Sequence, residues 1–185
     1  MTITELFAAV RNGYTERLAK VIAGSPGAHV EPAHRTAHGA LAVEGDLSLP
    51  CRVDLIPTQG ANAGASLTVD SETQLQFEAL TFTLPPAVVH LSPFTWDWVT
   101  LRVAGLSSTQ ASASVTQWFA RWFDGDDANS PTAEGLYGVV HFLSDPEVSG
   151  QSVAYHLDLG SASEAALEDL LFCLADAGAS EIHVG

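Results

Sequence analysis

Lysine is almost missing from this chain. Lys20 is the only one, and seven basic residues in all face 22 acidic ones among 185, a formal charge of −15. A surface so short of positive charge has little with which to neutralise phosphates, which argues against nucleic-acid binding and against docking on an anionic membrane. Cysteine is scarce too: Cys51 and Cys173 lie far apart in no C-x-x-C arrangement, which reads as two free thiols rather than a zinc knuckle or a disulfide framework. No apolar run approaches the roughly 20 residues that cross a bilayer. The N-terminal stretch lacks the form of a signal peptide, because Glu5, Arg11, Glu16, Arg17 and Lys20 punctuate its apolar positions. The expectation is a cytoplasmic protein. The phosphate-cradling G-x-x-x-x-G-K-[ST], the dinucleotide G-x-G-x-x-G, the zinc-binding H-E-x-x-H and the nucleophile elbow G-x-S-x-G are all absent.

What is present suits an ordinary core. Hydrophobic residues make up 46% of the chain, enough to fold and to exclude disorder over the whole length. The best-specified piece is the C-terminal end. Val153, Tyr155, Leu157 and Leu159 alternate with polar or small neighbours, the period of a strand. Ser161 and Glu164 fit a capping box, and Leu167, Leu170, Leu171 and Leu174 then mark one helix face over 163–177. Gly178 ends that helix, and 181–184 forms a last strand that a helical crossover can set parallel to the first.

At the other end, Thr2 and Glu5 suggest a capped helix. A stripe from Ile3 through Leu6, Val10, Tyr14, Leu18 and Val21 runs in phase across Asn12-Gly13 to a stop at Gly24-Ser25-Pro26-Gly27. From Leu41 to Leu55 the apolar residues share one parity, with Glu44, Asp46, Arg52 and Asp54 on the other, which predicts a half-wet sheet, with Glu44-Gly45-Asp46 or Pro50 as the place where it would break into two strands. Further strands are expected over 67–69, 75–84 (with a bulge near Ala79-Leu80, ended by Pro85-Pro86), 88–91, 94–103 and 136–143. Ser114 and Gln117 suggest another capping box, opening a helix that carries Val115, Trp118, Phe119 and Trp122 and runs to Phe123. These elements describe one α+β domain over 1–185: a mainly antiparallel twisted sheet with an N-terminal helix, a middle helix and a C-terminal strand–helix–strand unit.

Four groups of residues could carry chemistry. His29, His34 and His38 lie in a loop, but their spacing matches no structural zinc pattern. Gly160-Ser161-Ala162-Ser163 lies between strand and helix, where backbone N–H groups can hold an anion, though with a single glycine and no adjacent cation it reads first as a cap. Asp124-Gly125-Asp126-Asp127 starts like a calcium loop, but its sixth position is Asn129 and its twelfth is Gly135, so it reads as an exposed acidic loop. His141, His156 and His183 fall on three separate strands, with Asp158 on the face of His156 and Glu181 on that of His183, and three imidazoles with a carboxylate would suit a divalent metal if they converged; His141, however, shares parity with Tyr137, Val139 and Leu143, a core pattern. The expectation is therefore no metal, no cofactor and no catalytic residue.

Three functional classes remain. The favoured one is a non-catalytic protein-binding module, inhibitor- or immunity-like, whose −15 charge attracts a basic protein partner. Its contact residues would be Asp124, Asp126 and Asp127, with Trp96 or Trp98 as apolar anchor if exposed. The alternatives are a small-molecule or metal-dependent enzyme built on the histidine strands, and a structural subunit of a homo-oligomer.

Overall fold

In the computed structural model, which describes residues 1–185, the apolar stripe of the first residues forms one unbroken helix, α1 (Ile3–Ala23), across Asn12-Gly13. Thr2 and Glu5 close a reciprocal capping box at its start, satisfying two of the free N–H groups of the first turn. Leu6, Phe7, Val10, Tyr14 and Leu18 are its buried face.

The next 56 or so positions depart most from expectation. The alternation over 41–55 does not make a broad sheet; it breaks at Glu44-Gly45-Asp46 into short pieces. The segment holds four two-residue strands: β1 (His29–Val30), β2 (Val43–Glu44), β3 (Leu49–Pro50) and β4 (Leu55–Ile56). β1 pairs with β4 and β2 with β3, both antiparallel and both outside the main sheet. The parity assignment holds for Leu55, Glu44 and Asp46 but fails at three other positions. Val43, expected inside, is exposed, whereas Arg52 and Asp54, expected in water, are buried. The cause is that these polar side chains find internal partners, which offset the loss of hydration. Leu67–Val69 contributes only a bridge, Leu67 to Leu55.

The main sheet has seven strands. β5 (Leu80–Leu84), β6 (Ala87–Leu91), β11 (Glu181–Val184), β7 (Val99–Ala104), β10 (Ser152–Asp158) and β8 (Phe142–Leu143) follow one another in that order, and β9 (Glu147–Ser149) pairs with the other half of the β10 edge. All neighbours are antiparallel except β6 and β11. The last strand therefore inserts in the middle of the sheet, and β10 and β11 run parallel with β7 between them. Several strands are shorter than their apolar runs. β5 begins only at Leu80, β8 only at Phe142 and β7 only at Val99.

α2 (Ser108–Phe123) starts seven residues earlier than the expected Val115. Its box is Ser107 with Gln110, not Ser114 with Gln117. Ser114 is then an ordinary helix residue; Val115, Trp118 and Phe119 are buried as anticipated, Trp122 is only half-buried, and Phe123 is buried beside them. α3 (Glu164–Asp176) is capped at Ser163, whose side chain makes no capping bond, and the hydroxyl of the predicted cap Ser161 donates to Glu31 instead.

α2 packs on α3, with the Trp118 indole N–H donating to the Ala166 carbonyl at 2.8 Å, and Thr4 of α1 reaches Glu168 of α3. The three helices cover the sheet face that carries Val89, Leu91, Val99, Leu101, Val103, Val153, Tyr155, Leu157, Ile182 and Val184, and one apolar cluster joins them. The opposite face carries Thr81, His90, His183, Thr100, Arg102 and His156, by alternation along each strand, and remains open to water. No helix is long and apolar enough to cross a membrane.

Candidate functional site

Two places bring chemically capable side chains together: a buried charged cluster between the irregular segment and the sheet, and an aromatic platform on the open sheet face.

The buried cluster centres on His141, which is 0% exposed. The residue immediately precedes β8, and its backbone N–H donates to the Asp158 carbonyl at the end of β10. Its Nε2 lies 2.7 Å from Oε1 of Glu31. Its Nδ1 lies 3.2 Å from Asp54 Oδ1 and 3.6 Å from Asp158 Oδ2, yet neither is aligned as a hydrogen bond, leaving Nδ1 a buried nitrogen without a partner. The carboxylates are themselves held. Glu31 accepts from the Tyr137 N–H (2.7 Å), the Ser161 N–H (3.1 Å) and the Ser161 hydroxyl (2.8 Å). Asp54 accepts from the Tyr14 hydroxyl on α1 and from the Val69 N–H at 2.6 Å. Asp158 accepts from the Gly160 N–H at 2.8 Å.

The electrostatics follow from this crowding. Burial would lower the His141 pKa, but Asp158, Asp54 and Glu31 outweigh it and hold the imidazole well above its usual value. Burial pushes Glu31 and Asp54 up, and the nearby His141 imidazole, with the bonds from Ser161 and Tyr137 or from Tyr14 and Val69, brings both net below the usual carboxylate range. Asp158 goes the other way, raised by burial and by Asp54 more than His141 lowers it. Tyr14 is raised by burial and then by the Asp158 and Asp54 charges.

The strand-to-helix turn at Gly160-Ser161 does hold an anion, and that anion is the protein's own Glu31. Gly160 has φ +51, and a Cβ there would collide with the His141 ring and the Val139 carbonyl, so only glycine lets the turn close over the imidazole. Arg11 of α1 clamps the same turn, donating to the Ala162 carbonyl at 2.7 Å and the Ser161 carbonyl at 2.9 Å. Beside the cluster, Arg52 donates to the carbonyls of Phe123, Glu31 and Asp124 and to the Asp127 carboxylate. A cleft of about 430 Å³ opens there, lined by His29, Glu31, Arg35, Arg52, Asp127 and Tyr137 among others.

The three strand histidines do not converge. The β8–β10 register places Phe142 opposite Asp158 and Leu143 opposite Leu157, so His141 lies beyond the end of the ladder rather than across from His156. His183 stacks on His90 at 4.5 Å, with Glu181 close by. His29, His34 and His38 are exposed and join no group of metal-competent side chains.

The acidic loop is largely engaged internally. Asp124 takes a left-handed conformation after α2, and its carboxylate accepts from the Ala128 and Asn129 N–H groups at 3.0 and 2.9 Å. Asp127 bridges Arg35 and Arg52. Asp126 alone of the three is exposed without an internal bond.

The two candidate tryptophans part company, although the strand reading put them on one face. A tight turn, with the Trp98 N–H donating to the Thr95 carbonyl, interrupts the strand between them. Trp96 is 0% exposed in the core; Trp98 is 53% exposed. Trp98 stacks on His156 (5.2 Å, 12° between planes) and Phe142 (6.3 Å, 8°). Acidic side chains rim this platform. Glu147 lies 3.9 Å from His156 Nε2, and Glu44 and Asp145 share with Phe142 a pocket of about 200 Å³.

Glu31 and Asp54 were not anticipated as members of a site, and Asp158 was expected only beside His156. Nothing in their spacing joins them, since 23 and 104 positions separate Glu31, Asp54 and Asp158 along the chain. Comparison of the chain with protein-family models, with curated proteins and with solved structures gave no match.

Proposed function

We propose that this chain is a protein-binding module that engages a basic partner through the open face of its sheet. The observation that carries the reading is Trp98, a large aromatic left 53% exposed and held flat against His156 and Phe142. Exposed tryptophan fixed in place is the type of side chain that dominates binding hot spots, because it buries much area with little ordering entropy left to lose. The partner's sign follows from the rim charges Glu147 and Glu44, set in a molecule of net charge −15. Arg102 on the same face is the lone strong cation of the sheet's open side, a position that would favour an acidic contact locally.

The contact surface thus differs from the one expected at Asp124, Asp126 and Asp127, of which only Asp126 has a carboxylate available to a partner. The test is affinity capture from the source cells with wild type and Trp98→Ala side by side, at low and high salt. A basic protein retained by wild type at low salt, and lost with either Trp98→Ala or 0.5 M salt, supports the reading. Partners indifferent to Trp98 contradict it, as does self-association through this face, seen as a wild-type dimer that Trp98→Ala renders monomeric.

A further inference from the structure

We propose that Asp54, His141 and Asp158 form a binding site for one divalent first-row cation, best matched by zinc, which fastens the irregular segment 28–79 to the edge of the sheet. Two independent observations meet here. The first is His141 Nδ1, a fully buried ring nitrogen with no hydrogen-bond partner, aimed between two carboxylate oxygens. An imidazole nitrogen left so is a ligand awaiting an electron-pair acceptor, or a donor that has failed to find its acceptor at the proper angle. The second is charge. Three carboxylates, Glu31, Asp54 and Asp158, face one imidazole, so even a protonated His141 leaves the cluster strongly negative in a place where net charge is costly. The neighbouring guanidiniums do not relieve it: Arg11 bonds the Ser161 and Ala162 carbonyls, and Arg52 bonds three carbonyls and Asp127.

The spacing suits a metal. Zinc bonds of about 2.0–2.1 Å in a tetrahedron set ligand atoms roughly 3.3 Å apart. The observed separations from His141 Nδ1 are 3.2 Å to Asp54 and 3.6 Å to Asp158, and all three ligand atoms lie within 4.8 Å of one another. Each ligand is also oriented from behind, as metal ligands commonly are. Nε2 of His141 meets Glu31, Oδ2 of Asp54 takes the Val69 N–H, and Oδ1 of Asp158 takes the Gly160 N–H. An imidazole with two carboxylates is a mixed set that zinc and manganese accept and that calcium, which prefers six to eight oxygens, does not. Asp158 keeps 19% of its side chain exposed, the most accessible of the three ligands. The expectation of no metal rested on the missing ligand spacing and on the apolar strand neighbours of His141; the carboxylates that face it come from residues that no spacing rule connects.

The inference is independent of the partner reading, and its test involves no partner. Untagged protein is stripped with chelator, equilibrated separately with Zn²⁺, Mn²⁺, Mg²⁺ and Ca²⁺, desalted, and assayed for metal content and thermal midpoint. One equivalent of zinc retained, with a midpoint raised by several degrees, is expected. Asp158→Asn should weaken zinc affinity at least tenfold with an unchanged circular dichroism spectrum, whereas His183→Ala, in the separate His90–Glu181–His183 group, should not. Because a core variant could fail to fold, the wild-type protein gives a second readout: long-range ¹H–¹⁵N correlations should show His141 Nδ1 metal-bound and Nε2 protonated. No retained metal, an imidazole protonated on both nitrogens after zinc equilibration, or binding lost in His183→Ala but kept in Asp158→Asn overturns the proposal.

Discussion

Arg52 shows what a single residue does in this fold. Its guanidinium reaches the carbonyls of Glu31, Phe123 and Asp124, with the Phe123 ring 4.7 Å from its central carbon. Three chain segments thus meet on one planar fork, which the point charge of lysine cannot copy. Arg52→Lys should leave buried carbonyls without donors and cost about 3 kcal/mol, read by urea denaturation. A loss below ~0.5 kcal/mol would show that water replaces the fork. Glu31 makes a parallel case. It accepts from Tyr137 and from both donors of Ser161 in addition to its contact with His141, and a glutamine would turn one acceptor oxygen into a donor facing donors. Glu31→Gln should cost about 2 kcal/mol by the same measurement. Gly160→Ala should cost at least as much, through strain at φ +51 and the clash with His141, and should displace the His141 ring signals in NMR spectra. Ring signals left unmoved would mean that the turn gives way instead.

At the level of elements, what depends on neighbours in sequence was readable. α1 with its Thr2–Glu5 box, α3, β10 and β11 all follow from periodicity and from Gly178. What depends on tertiary partners was not. Ser161 fits a capping box as well as Ser107 does, but Ser161 lies where Glu31 can take its hydroxyl, so the helix starts two residues later at Ser163. Trp96 and Trp98 read as one strand face until a turn at Thr95–Trp98 separates them. The order in which β11 enters between β6 and β7 has no local signature at all. The junction of α2 with α3 gives an element-scale prediction. Asp169 on α3 accepts from the Trp122 indole and from Arg121, both at 2.9 Å, and these bonds outweigh burial to lower its pKa. A carboxylate lowered in the folded state contributes its stability above its unfolded pKa of roughly 3.9 and loses it as pH falls through the lower folded value. Asp169→Asn should therefore destabilise the protein at neutral pH and flatten the acid limb of the stability curve below about pH 4. An acid limb identical to wild type would place that pH dependence in other carboxylates.

Across the whole molecule, segment 28–79 is the part with the least regular structure and only two buried apolar anchors, Leu55 and Val69. Polar bonds through Glu31, Arg52 and Asp54 attach it to a sheet whose core is otherwise complete from α1 to β11. The helices cover one sheet face and leave the other free; on the proposed binding reading, association falls on the side bearing Trp98, Phe142 and His156. The net charge of −15 would then act at long range, speeding encounter with a positive surface, with salt screening it over about 10 Å at 0.1 M. Charge sets the rate more than the affinity, so the aromatic anchor is needed as well. The most direct measurement is oxidative footprinting of the captured complex against the free protein. The open-face account predicts that Trp98 loses most of its reactivity in the complex while the loop around Asp126 is unchanged; a Trp98 as reactive in the complex as alone, with protection falling on 124–127, would contradict it.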